Sequence, residues 1–87
     1  MNSRQQKTLK SVFEVPTRSD ILWQKIEALF RALGADVLEG RGSRVRVALR
    51  GTRSTYHRPH PGRIASKGAV EAAREQLRKA GLHDDDI

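Results

Sequence analysis

Gly42-Ser43-Arg44-Val45-Arg46-Val47-Ala48-Leu49-Arg50-Gly51-Thr52-Arg53-Ser54-Thr55-Tyr56-His57 is the stretch on which the fold turns. In its first half, Val45, Val47 and Leu49 alternate with Arg44, Arg46 and Ala48. Successive side chains of a strand point to opposite faces, so this pattern gives one apolar face and one cationic face. Arg50 is a further candidate for the cationic side. A turn is expected around Arg50-Gly51-Thr52-Arg53, with residues 54–57 returning as a third strand. Upstream, residues 35–39 can form a first strand, and Gly40 and Gly42 flank the turn that follows it. Pro59 and Pro61 hold Arg58 and His60 extended and end the ladder.

Helical signals lie on either side of this meander. Leu22, Ile26, Leu29 and Leu33 fall at i, i+4, i+7 and i+11, with Trp23 and Phe30 widening the stripe. Thr17 or Ser19 can cap that helix, Asp20 suits its first turn, and Gly34 follows its last periodic residue. Trp23 is read as an anchor in or at the rim of the core. A second helix is expected from near Ser66 to Gly81, with Val70, Ala73, Leu77 and Ala80 forming a narrow stripe of small residues. The order helix, three strands, helix predicts an α+β domain: a three-stranded antiparallel sheet with both helices on its apolar face.

The ends carry weaker signals. Residues 1–6 are polar and expected to be frayed. Leu9, Val12 and Phe13 fit a short helix, Phe13 and Val15 fit an edge strand, and Pro16 ends either. The domain limits are therefore set at 1–16 for an N-terminal extension, 17–82 for the folded domain and 83–87 for an acidic tail.

Eighty-seven residues make a single small domain, and the formal charge of +7 points to an anionic partner. Residues 40–68 hold seven arginines, one lysine and two histidines, with no acid between Glu39 and Glu71. The absence of cysteine excludes a disulfide framework and thiolate chemistry. No apolar run is long enough to span a bilayer, and the polar N-terminus has no signal-peptide core. A soluble, cytoplasmic protein is expected.

Several residues in the basic stretch are candidates for chemistry. Lys67 opens the last helix, where free N–H groups and the helix dipole suit a phosphate; an exposed lysine that merely tolerates its place is the competing reading. His57 and His60 lie close together among arginines, with no third ligand to make a metal site. An imidazole ordinarily titrates at about pH 6.5 and can move protons near neutrality. Beside phosphate-binding arginines it would suit RNA cleavage, in which the 2′-hydroxyl attacks the adjacent phosphorus. Ordinary loop polarity is the competing reading of both histidines. Ser43 is by default a turn residue without a triad around it, and Tyr56 can either stack on a base or be half-buried.

These residues resemble the HicA toxin family of bacterial toxin–antitoxin pairs. The resemblance rests on the amphipathic helix ending Leu33-Gly34, the Gly42-Ser43 turn and the Pro59-His60-Pro61 segment. Lys67-Gly68, opening a helix that ends Ala80-Gly81-Leu82, completes it. It implies a double-stranded-RNA-binding-domain-like α-β-β-β-α fold and metal-independent cleavage of mRNA, with no cofactor. It also implies a HicB-like antitoxin that covers the RNA-binding surface. His60 matches a position commonly held by histidine, whereas the family's catalytic histidine position after the Gly-Ser turn is here Arg44. A guanidinium stays protonated and cannot readily act as a base. The expected site is therefore His57 and His60 for proton transfer, with Ser43, Arg44, Arg46, Arg58 and Lys67 contacting RNA. The alternatives are a non-catalytic RNA-binding module of the same fold, or a basic protein-interaction domain.

Overall fold

The alternation of residues 44–49 is realised as strand β2 (Arg44–Leu49), in which Val45, Val47 and Leu49 are buried while Arg44 and Arg46 are exposed. β2 is the central strand of an antiparallel sheet between β1 (Asp36–Glu39) and β3 (Thr52–His57). The computed structural model describes residues 1–83. Its remaining elements are the helices α1 (Ser3–Phe13), α2 (Trp23–Ala32) and α3 (Lys67–Lys79). The acidic tail expected over residues 83–87 lies, beyond His83, outside the described residues.

The α-β-β-β-α order is present in α2 through α3, as the periodicities predict. Helix α2 packs on β1 and α3 on β3, so Ile26, Phe30, Val70, Ala73 and Leu77 join Val45, Val47 and Leu49 in one core. Both helices end on a left-handed glycine: Gly34 at φ 91° and Gly81 at φ 90°. After each, the chain reaches back: Ala35 N–H donates to Phe30 O at 3.0 Å, and Leu82 N–H to Leu77 O at 2.8 Å.

The β2–β3 turn is tighter than expected. Leu49 pairs with Thr52, which leaves only Arg50 and Gly51 in the turn, at φ 47° and 82°. Two successive positive φ values make the turn type whose twist matches the strands it joins. Thr52 and Arg53 therefore belong to β3, two residues earlier than the sequence reading placed it. The Arg50 side chain does not join the cationic face; its Nη1 donates to Ala80 O at 3.4 Å.

Helix α2 begins at Trp23, and neither Thr17 nor Ser19 caps it. The cause is a long-range pairing. Leu22 forms a bridge with Ile64, Trp23 N–H donates to Arg63 O at 2.9 Å, and Ala65 N–H to Ile21 O at 2.8 Å. These bonds hold residues 21–22 extended. Asp20 is instead gripped by Arg18, and Thr17 by Arg74 and Glu71.

The N-terminal residues also differ from expectation. Residues 3–6, read as frayed, are helical, because Asn2 and Gln5 make a reciprocal capping box with bonds of 2.9 and 3.1 Å. Helix α1 packs on α2 and α3, burying Leu9 and Val12 completely and most of Phe13. Arg74 of α3 closes its C-terminal end by donating to Val12 O at 2.8 Å and Glu14 O at 3.0 Å. Thus α1 forms an outer layer over the helices.

One polar chain crosses the core. Tyr56 Oη donates to Gln76 Oε1 at 2.7 Å, and Gln76 Nε2 donates to Val47 O at 2.9 Å and Thr52 Oγ1 at 3.1 Å. Gln76 is 2% exposed, so these bonds meet the hydrogen-bonding needs of a side chain that burial would otherwise penalise. Burial disfavours the Tyr56 phenolate and raises its pKa from 10.0 to about 12.

Two outcomes are expected. Leu9→Ala should lower unfolding free energy by about 2–5 kcal/mol in denaturant titration, the cost of a core cavity; an appended, loosely held helix would lose almost nothing. Ultraviolet titration of the single tyrosine should show phenolate forming near pH 12 in the folded chain. Its folded pKa lies above the unfolded one, so this phenol's contribution to stability is complete below about pH 10 and declines as pH rises towards 12.

Candidate nucleic-acid interface

With one side of the sheet buried under α2 and α3, the other is open, and the strand register decides what stands on it. Arg44 is directly opposite His57, Arg46 opposite Thr55, and Ala48 opposite Arg53. On the other side of β2, Leu38 stands beside Arg46 and Asp36 beside Ala48. Arg44, Arg46, Arg53 and His57 are all exposed, and none has a side-chain hydrogen bond or ion pair among the described residues. Directly opposed residues of an antiparallel pair have Cβ atoms about 4.5–5.5 Å apart. One imidazole and one guanidinium thus sit side by side at one end of the face, with two further arginines along it.

Placing like charges together is unfavourable unless an anion separates them. The sheet tolerates this because its stability comes from the buried inner face. Arg53 was missed by the sequence reading, which assigned it to the turn. The signal that could have found it is Arg50-Gly51 as a two-residue hairpin, since that phase puts Arg53, Thr55 and His57 on one face.

The other candidates lie around this end. Ser43 is exposed in the β1–β2 turn, and its carbonyl accepts from Arg58 N–H at 2.8 Å. That turn reverses through Gly42 at φ 63°. Gly40 passes so close to Arg44 that a Cβ there would sit 3.2 Å from the Arg44 Cβ. His60 is exposed in the segment after β3, outside the sheet, and no contact among the described residues joins it to His57. Lys67 is the first residue of α3, whose N-cap Ser66 Oγ accepts from Ala69 N–H at 3.1 Å. No acid occupies the first turn of α3.

Arg58, expected to contact RNA, is already engaged within the fold. Its Nε donates to Glu27 Oε1 at 2.6 Å and its Nη1 to Glu39 Oε1 at 2.5 Å. Trp23 Nε1 also donates to Glu27 Oε1, and Arg31 lies 3.6 Å from Glu27 Oε2. Burial opposes ionisation of Glu27, but hydrogen bonds from Arg58 and Trp23 outweigh it and hold the carboxyl below its usual range. The hydrogen bond from Arg58 likewise lowers Glu39, and the two carboxylates together raise Arg58. Arg58 is thus a paired cation, unlike Arg44 and Arg46. Trp23, 3% exposed, packs against Tyr56 with the rings tilted by 43° and their centroids 5.2 Å apart, and serves the core. Tyr56 is likewise buried and turned away from the open face.

No described helix is long and apolar enough to cross a membrane. No curated protein and no solved structure gives a significant match to the chain. A protein-family model described as the HicA toxin of bacterial toxin–antitoxin does match, over residues 23–82. Those limits run from the first residue of α2 to the buried Leu82 after α3, and so take in the sheet, its open cationic face and both helices beneath it. With the greater part of its length matched and the expected α-β-β-β-α order in place, the chain belongs to the HicA family of toxin–antitoxin toxins.

Proposed function

We propose that this toxin binds mRNA on the open face of the sheet and cleaves it without a metal ion, and that a HicB-like antitoxin neutralises it by covering that face. The observation that carries the reading is the cross-strand pairing of Arg44 with His57, both exposed and without other partners. The family's usual histidine position is occupied by Arg44, and the register brings an imidazole next to it from the neighbouring strand.

The chemistry follows from that juxtaposition. His57 takes the proton of a ribose 2′-hydroxyl, and the oxygen attacks the adjacent phosphorus. Arg44 stabilises the charge that builds on the phosphoryl oxygens. The bond to the 5′-oxygen breaks, and that oxygen leaves with a proton supplied by His60. The products are a 2′,3′-cyclic phosphate and a 5′-hydroxyl. Arg46, Arg53 and Lys67 hold flanking phosphates, and the Ser43 hydroxyl donates to one of them. Arg58, already shared between two carboxylates, is left out of this set.

The antitoxin half of the proposal rests on family membership and on charge. A net charge of +7 and a row of unpaired arginines would attract an acidic partner. Such a pair acts where mRNA is translated, in the cytoplasm.

Purified protein incubated with single-stranded RNA in excess chelator should yield fragments ending in 2′,3′-cyclic phosphate. His57→Ala should slow cleavage by about 10²-fold or more and leave RNA affinity nearly intact. Arg46→Gln should instead weaken binding and reduce the slope of log affinity against log salt by about 0.7–1. Undiminished cutting by a His57→Ala, His60→Ala double variant would refute the site. Salt-dependent binding without products from the unaltered protein would establish the non-catalytic module that Arg44 raises as the second reading.

A further inference from the structure

The Arg58 side chain runs beneath the proposed cleavage site. Along β3, Tyr56 points into the core and His57 onto the open face, so Arg58, the next residue, points inward again. Its backbone N–H donates to Ser43 O at 2.8 Å, continuing the β2–β3 ladder one step past the Arg44–His57 pair. Its guanidinium then meets Glu39, the last residue of β1, on the far side of the central strand. Neighbouring strands are about 4.8 Å apart. One side chain from one edge strand therefore passes under the start of β2 to reach the other edge strand.

The inner anchor is firm. Glu27 projects from α2, its side chain is 14% exposed, and Arg58 Nε and Trp23 Nε1 converge on its Oε1. Trp23 is itself wedged against Tyr56. The single residue thus joins four parts: its guanidinium links the end of β3 to α2 and β1, and its backbone N–H holds the Gly42-Ser43 turn. Arg44 and His57 are end residues of their strands, next to a glycine turn on one side and a proline-rich segment on the other, where a strut beneath them has most effect.

We propose that Arg58 is a positioning residue: a strut under the sheet that fixes the separation of Arg44 and His57 and does not itself grip phosphate. This rests on reading that face as the cleavage site. The two carboxylates that anchor the strut also argue against a phosphate contact. They neutralise the guanidinium, and Glu39, with 68% of its side chain exposed, would repel an approaching anion. A lysine cannot replace the strut, because one ammonium lacks the fixed fork that spans two carboxylates.

The test uses Arg58→Lys and the milder Glu39→Gln, whose altered side chain is at the surface. Both should lower kcat at saturating RNA by about 10-fold to 10²-fold, as misplacement of reacting groups does. Affinity for an uncleavable 2′-deoxy analogue should fall by less than about threefold in either variant, since no phosphate contact is lost. The nuclear Overhauser contact between the Arg44 and His57 side chains should weaken in both variants. If affinity and its salt slope fall in Arg58→Lys while kcat holds, Arg58 grips phosphate and the strut is overturned. If the cross-strand contact is unchanged in both variants, the strut is overturned whether or not the protein cuts RNA. Absence of cleavage by the unaltered protein would refute the enzymatic reading alone, because the contact is still measured.

Discussion

Burial of one side of a three-stranded sheet is the constraint from which the rest of this molecule follows. A strand shifted by one residue exchanges its two faces, so putting Val45, Val47, Leu49 and Tyr56 against the helices leaves no freedom in register. With the register fixed, the outer face is fixed too, and Arg44, Arg46, Arg53 and His57 stand on it without any attraction of their own. The hydrophobic effect thus assembles a cluster of like charges that electrostatics alone would scatter.

The basic residues named above divide into two groups by partner: those engaged within the fold and those left without a partner among the described residues. Arg18, Arg58 and Arg74 are used internally, on carboxylates or on backbone carbonyls at a helix end. Arg44, Arg46, Arg53 and Lys67 are left to solvent. Planar, multi-donor guanidinium groups suit the internal work because one of them can join several acceptors at fixed angles.

Much of this was legible in the residues. The alternation of 44–49 gave β2 with its observed limits, and the stripes through Ile26 and Leu77 gave both core helices. Gly34 and Gly81 marked where those helices stop, because a left-handed residue is needed there. What could not be read depended on contacts distant in sequence. The start of α2 is set by strand-like pairing with residues 63–65, which overrides the local capping signal of Thr17 and Ser19. The roles of Arg58 and Arg46 are indistinguishable in sequence, since only the fold shows which arginine meets Glu27 and Glu39. The capping box at Asn2 and Gln5 was local and present, but a polar beginning masked it.

The packing of α1 against α3 bears on the order of events during synthesis. Leu9, Val12 and Phe13 are synthesised before Arg74 and the rest of α3, which close over that helix. A nascent chain stopped before α3 has a sheet covered by α2 alone and a first helix without its Arg74 clasp, and so only part of its core. The first helix is therefore finished only once α3 has docked on it, so the segment that precedes the sheet folds together with the rest and not ahead of it.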